Sequence, residues 1–281
     1  MSISAQGGFG SRMTNTTLQN KHITMESISL AASVLTRVGG LTITNTLLAS
    51  WLTMAILIGV GIIATRRLKL IPSGLQNGVE LVVEQFLGLA QSVTGDRRRA
   101  SMFLPIVLTL FLFVLVNNWI QLIPGFGAFG WHTTAGEFVP LLRGANSDLN
   151  VTLGLALVTV ALTQYFGIRE KGLLGWVRHY FHNPLSGGIV LVILGIGVGA
   201  FVGLLEVVSE FVKIVSLSFR LYGNIFAGEN LLETIGHLSP YLVPVPFMLL
   251  EVIVGAVQAA VFSLLTLVFL SIITTPAESH S

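Results

Sequence analysis

Five stretches of this sequence stay apolar for longer than the interior of a small soluble domain requires. A run of about 18 or more apolar residues without charge is long enough to cross a bilayer as a helix. Leu47 to Thr65, Met102 to Ile123 and Leu149 to Ile168 each meet that test, although Asn117, Asn118 and Gln121 interrupt the second. Leu185 to Leu205 is also free of charge, and its helical pattern continues to about Gly228. Leu238 to Thr275 holds a single charge, Glu251. Only 10% of the chain is charged and 53% is hydrophobic, against about 25% charged in soluble domains. Such a chain cannot cover a water-facing surface. Most soluble enzyme classes are excluded, and the zero cysteine count removes disulfides, thiolate metal sites and thiol nucleophiles.

Leu75 to Val93 differs from these runs. Its apolar residues recur at helical spacing, but Glu80, Glu84, Gln85 and Gln91 interleave with them. The pattern predicts an amphipathic helix at the membrane surface, about residues 74 to 94, with Ser73 and Gln76 as a capping box. The fold class expected is an all-α polytopic membrane protein with about five membrane helices and one surface helix.

The basic residues set an orientation. Arg66, Arg67, Lys69, Arg97, Arg98, Arg99, Arg169, Lys171 and Arg178 share one side if three crossings precede them. The positive-inside rule makes that side cytoplasmic, so the N-terminus lies outside and the C-terminus inside. Residues 1 to 37 then form a polar external tail without a signal-peptide core, residues 38 to 275 the membrane domain, and residues 276 to 281 a cytoplasmic tail. The bases do not cluster as a nucleic-acid footprint would.

Two segments, about 185 to 229 and 238 to 275, are too long for a simple crossing. As helices, Leu185 to Gly228 and Leu238 to Thr275 would measure about 66 Å and 57 Å at 1.5 Å per residue. The hydrocarbon core is about 30 Å thick, so both are expected to lie strongly tilted. The alternative is a break, for which Pro240, Pro244 and Pro246 are candidates in the second.

On the first long helix, Glu206, Glu210, Lys213, Arg220 and Asn224 fall within a stripe about 80° wide at 100° per residue. Glu210 and Lys213 are three apart and can pair on their own helix. Arg220 cannot, because the nearest acids are ten residues before it and, at Glu229, nine after it. Its counter-charge must come from another helix, water or another chain, unless it snorkels to an interface. Glu251, Gly255 and Gln258 share one face of the last helix. Glu229 and Glu233 are read at the loop joining the two helices. Acids thus gather at two depths with Arg220 between them, which suggests two access paths separated by a fixed positive charge. An ion-translocating subunit, a self-contained secondary transporter or exchanger, and a structural membrane protein all remain open at this point.

The stretch Ser216 to Glu229, reading SLSFRLYGNIFAGE, closely resembles the arginine segment of subunit a of F-type ATP synthases. Asp148 to Leu153, Asn117 to Pro124, Gln258-Ala259 and Glu80 support the resemblance, which covers about residues 38 to 275. It implies a stationary subunit, with no nucleotide site of its own, beside a rotating ring of c subunits and held by peripheral-stalk b subunits. The implied cargo is H⁺ or Na⁺, and the implied place a bacterial inner (plasma) membrane. It carries Arg220 over as the coupling arginine opposite a ring carboxylate. Asn224, Glu229, Glu251 and Gln258 carry over as outer half-channel lining, and Glu206, Glu210 and Ser216 as inner lining. No cofactor and no metal is implied. The chain departs from the family pattern in having Ile214 after Lys213, Tyr222 where Phe is common, Glu251 where some relatives have His, and a long loop from Gly125 to Ser147.

Overall fold

The computed structural model describes residues 33–38, 41–66, 74–123, 125–132, 138–180, 189–238 and 243–274. Six helices dominate: α1 (Asn45–Thr65), α2 (Leu75–Thr94), α3 (Arg97–Ile120), α4 (Leu149–Tyr180), α5 (Ile189–Leu238) and α6 (Pro244–Thr274). Among the described residues, α1, α3, α4 as far as Leu173, and α6 are long and apolar enough to cross a membrane. The chain is a multi-pass membrane protein, as the charge-free runs require. α5 has the length to cross as well. Its 50 residues span about 75 Å and the 31 of α6 about 46 Å. A 30 Å core admits helices of these lengths only at a steep tilt.

Local chemistry sets the helix ends. Thr44 caps α1 by accepting the Leu47 N–H at 3.3 Å, and Asp96 caps α3 by accepting the Arg98 N–H at 3.0 Å. The expected capping box of α2 is replaced. Its cap residue is Gly74, in a positive-φ conformation, and Gln76 instead donates to Glu80 one turn on, at 2.7 Å. Ser73 lies outside the described residues. α6 starts at Pro244, where a missing N–H costs nothing, with Pro246 in its first turn, so these two delimit the helix instead of kinking it; Pro240 lies outside the described residues. α4 outlasts its predicted crossing but breaks its helical geometry at Gly172, where φ is 71°.

Two small antiparallel hairpins interrupt the all-helical picture. β1 (Val34–Val38) pairs with β2 (Leu41–Thr44), at the end of and just after the stretch expected to be a polar external tail. β3 (Gly130–His132) pairs with β4 (Phe138–Pro140) within the long loop, which then tightens into a 3-10 turn at Ala145–Ser147. Residues 1–32 and the C-terminal stretch 275–281 lie outside the described residues.

α6 occupies the middle of the bundle, against α2, α3, α4 and α5. One core cluster joins Phe86 and Ala90 of α2 to Phe103 and Val107 of α3, Phe166 of α4, and Leu267 and Leu270 of α6. A second joins Leu110 and Val114 of α3, Ala156 of α4, Leu217, Leu221 and Ile225 of α5, and Ala259 and Phe262 of α6. α2 packs through Phe86, whose ring lies 4.5 Å from that of Phe111, and leaves Leu81, Leu89 and Val93 exposed. That two-sided apolar character suits a helix lying in an interface.

Candidate functional site

α5 separates its two faces sharply around Arg220. Leu217, Ser218, Leu221, Tyr222 and Ile225 are buried. Ser218 Oγ lies 3.2 Å from Thr152 Oγ1 on α4, which fixes the rotation of the helix. Ser216, Phe219, Arg220, Gly223 and Ala227 therefore point away from the bundle and are exposed. Ser216, Gly223 and Ala227 share the arginine's stripe and are small; a side chain at Gly223 would meet nothing of this chain within 4 Å. Elsewhere the exposed face of α5 is bulky, with Phe201, Leu204, Val208, Phe211 and Val212. Small residues let a neighbouring helix approach closely in lipid. Arg220 donates through Nη2 to Ser216 Oγ at 3.4 Å, and among the described residues no carboxylate forms an ion pair with it.

Glu206 and Glu210 lie toward the basic end of the bundle, half-buried. The expected i,i+3 pair forms: Lys213 Nζ donates to Glu210 Oε1 at 2.6 Å. The same ammonium sits 4.9 Å from the ring centroid of Phe269, which ties α5 to α6. Glu229 is 23 residues beyond Glu206, about 34 Å along the helix, so the two groups of acids lie well apart along α5. Glu229 and Glu233 are not in a loop, however. α5 runs through both to Leu238, and α6 begins only at Pro244.

At the other end of the bundle the polar residues form one cluster. Glu251 is 7% exposed, and its carboxyl fills the notch left by Gly228, where any Cβ would overlap it. Its Oε1 has no hydrogen-bond partner among the described residues. Asn118 donates to the Gly255 carbonyl at 3.0 Å and accepts from Asn146 at 2.7 Å. Thr53 donates to Asn117 Oδ1 at 2.8 Å, and Thr46 to Asp148 Oδ2 at 2.8 Å. Arg143 holds Glu229 through two bonds, Nε to Oε1 at 3.2 Å and Nη2 to Oε2 at 3.3 Å. Asn224 and Gln258 are half-buried.

The structure thus brings Glu229 and Glu251 together across the α5–α6 contact at Gly228, and leaves Glu206 and Glu210 far from them. Sequence reasoning passed over Arg143, Asn146 and Asp148 as site residues. The signals were present but weak: two adjacent asparagines in a membrane run, and an acid heading the fourth helix. Nothing in the sequence links Arg143 to a partner 86 positions away.

Comparison with known proteins follows the same outline. A family profile described as "ATP synthase A chain" matches residues 47–271. The chain is 35% identical over 233 residues to "ATP synthase subunit a" of Moorella thermoacetica, covering 83% of this chain and 92% of that one. It is 35% identical over 222 residues to the protein of the same name from Gloeobacter violaceus, covering 79% and 80%. It is 37% identical over 223 residues to "ATP synthase subunit a, chloroplastic" of Stigeoclonium helveticum, covering 78% and 80%.

Proposed function

This chain belongs to the ATP synthase A chain family, and on that premise we propose that it is the ion-translocating stator of a rotary F-type ATP synthase, working against a ring of c subunits. An ion enters by an outer half-channel lined by Asn224, Glu229, Glu251 and Gln258, and neutralises a ring carboxylate. The ring turns through the lipid, and the ion leaves by an inner half-channel near Glu206, Glu210 and Ser216. Arg220 pairs with the emptied ring carboxylate and bars a direct leak between the two paths. The cargo is H⁺ or Na⁺, and ATP chemistry belongs to other subunits. Peripheral-stalk b subunits hold the chain still. The basic end faces the cytoplasm of a bacterium, whose plasma membrane holds the complex.

The observation that carries this reading is the outward placement of Arg220 on a strip of small residues. A lone cation facing lipid is costly, about 2.5–3.5 kcal/mol or more at the bilayer centre. A carboxylate on another helix, close enough to fit over Ser216, Gly223 and Ala227, removes that cost. A self-contained exchanger would need its own acid there, and the described residues supply none.

Cysteine cross-linking tests the reading cleanly, because the chain has no cysteine of its own. Ser216→Cys and Gly223→Cys are expected to cross-link to a cysteine placed beside the ring carboxylate. Leu217→Cys and Leu221→Cys, buried at 2% and 1%, are expected not to. Equal cross-linking from both sets, or none from the exposed set, would refute the ring contact.

A further inference from the structure

The two outer acids, Glu229 and Glu251, differ in how they are held. Glu229 meets a guanidinium on both carboxylate oxygens, and the side chains of Arg143 and Glu229 are 11% and 31% exposed. Arg143 is not a loose partner. The chain after it is wedged into the bundle. A Cβ at Gly144 would run into the Gln121 side chain, Asn146 is bonded to Asn118, and Asp148 to Thr46. Glu251 has none of this. It is buried in the Gly228 notch, one residue from Glu229 along α5, and no cation pairs with it among the described residues. The other charged groups at this end are otherwise engaged: Asp148 with Thr46, and Glu233 with His237, whose Nε2 lies 3.9 Å away.

We propose that Arg143 is a positioning residue of the outer path: it clamps Glu229 as a fixed anion and leaves Glu251 as the carboxylate that exchanges the ion. This rests on the stator reading above. An ion captured by Glu229 must first break a two-bonded ion pair, whereas Glu251 can accept and release one without breaking any. With two acids so close, neutralising one with a guanidinium also keeps the other's exchange from being opposed by a second free negative charge. Glu229 then acts as a counter-ion that holds the loop ahead of α4 against α5, not as a carrier.

The test uses the assembled complex in vesicles, matched by copurification of the ring. ATP synthesis driven by an imposed gradient is followed against the outer ion concentration, with protons and with Na⁺. Arg143→Leu takes the guanidinium from Glu229, and Glu229→Gln takes the carboxylate from Arg143. Each single change is expected to lower the maximal rate about tenfold, less than for a fully desolvated pair because Glu229 is 31% exposed. Arg143→Leu also shifts the half-saturating ion concentration, because Glu229 now competes. The double variant Arg143→Leu/Glu229→Gln removes both charges and should run at least about threefold faster than either single variant, the signature of a coupled pair. The reversed pair Arg143→Glu/Glu229→Arg should do the same. Glu251→Gln should lose at least about 100-fold, the scale of a positioned proton-transfer group.

A double variant and a reversed pair both as inactive as Glu251→Gln would overturn the assignment, since Glu229 would then be a carrier. A double variant as slow as Arg143→Leu with unchanged half-saturation would overturn it too, by showing a merely structural tie. An assembled wild-type complex that moves neither ion would overturn the stator reading itself, and this assignment with it.

Discussion

Arg220→Ala is expected to abolish ATP-driven acidification in inverted vesicles while leaving the complex assembled. The buried half of α5 does not involve this side chain: Leu217, Leu221 and Ile225 make the core contacts, and Arg220 is exposed and bonds to Ser216. Folding should therefore survive the change. Coupling should not, if a ring carboxylate depends on this guanidinium. Truncating one partner of a desolvated charge pair costs about 2–5 kcal/mol, and 2 kcal/mol alone is about thirtyfold. Arg220→Lys is expected to fail as well. An ammonium is a compact, strongly hydrated point charge, whereas the guanidinium is planar and always charged. Normal pumping by Arg220→Lys in an assembled complex would remove the named role from this residue.

Gly228→Ala should come next in severity. Most of the described glycines have room for a methyl group, but at Gly228 a Cβ would overlap the Glu251 carboxyl. The carboxyl must then leave its notch, and the α5–α6 contact loses about 1–3 kcal/mol through overpacking. Displacing a functional group by about 1 Å can cost 100-fold in rate, so transport should fall at least tenfold. Glu251→Asp added to Gly228→Ala draws the carboxyl back by one methylene and should recover part of the loss. Gly236→Ala on the same helix meets open space and serves as the control. If Gly228→Ala and Gly236→Ala pump alike, the notch has no bearing on Glu251.

Much of this fold is legible in the sequence because lipid imposes a simple pattern. A crossing needs an unbroken apolar run, and α1, α3, α4 and α6 each contain one. The surface helix declares itself by interleaved Glu and Gln. Charge spacing alone anticipates the Glu210–Lys213 pair and the missing partner of Arg220. Other features depend on contacts between distant positions. The helical pattern reads as ending near Gly228, yet α5 keeps both Gly223 and Gly228 inside. The first leaves its outer face open, and the second admits a carboxyl from α6. The Arg143–Glu229 pair spans 86 residues and has no local signature. The first hairpin did have one: Gly39-Gly40 stands between two short runs rich in Val, Leu and Thr. The polarity of the stretch before it masked that signal.

The central position of α6 has a consequence for how the protein is made. Of the six helices it leaves the ribosome last, yet both core clusters draw residues from it. Until it arrives, α3, α4 and α5 lack the one helix that joins both core clusters, and Lys213 has no Phe269 to rest on. The face of α5 opposite Arg220 then rests on α4 alone, and the acid in the Gly228 notch does not yet exist. On the proposed reading, a nascent chain that lacks α6 cannot assemble the ion path from its earlier helices alone. Arrival of α6 and closure of the proposed conduit then coincide, which would protect the membrane potential while the subunit is being built.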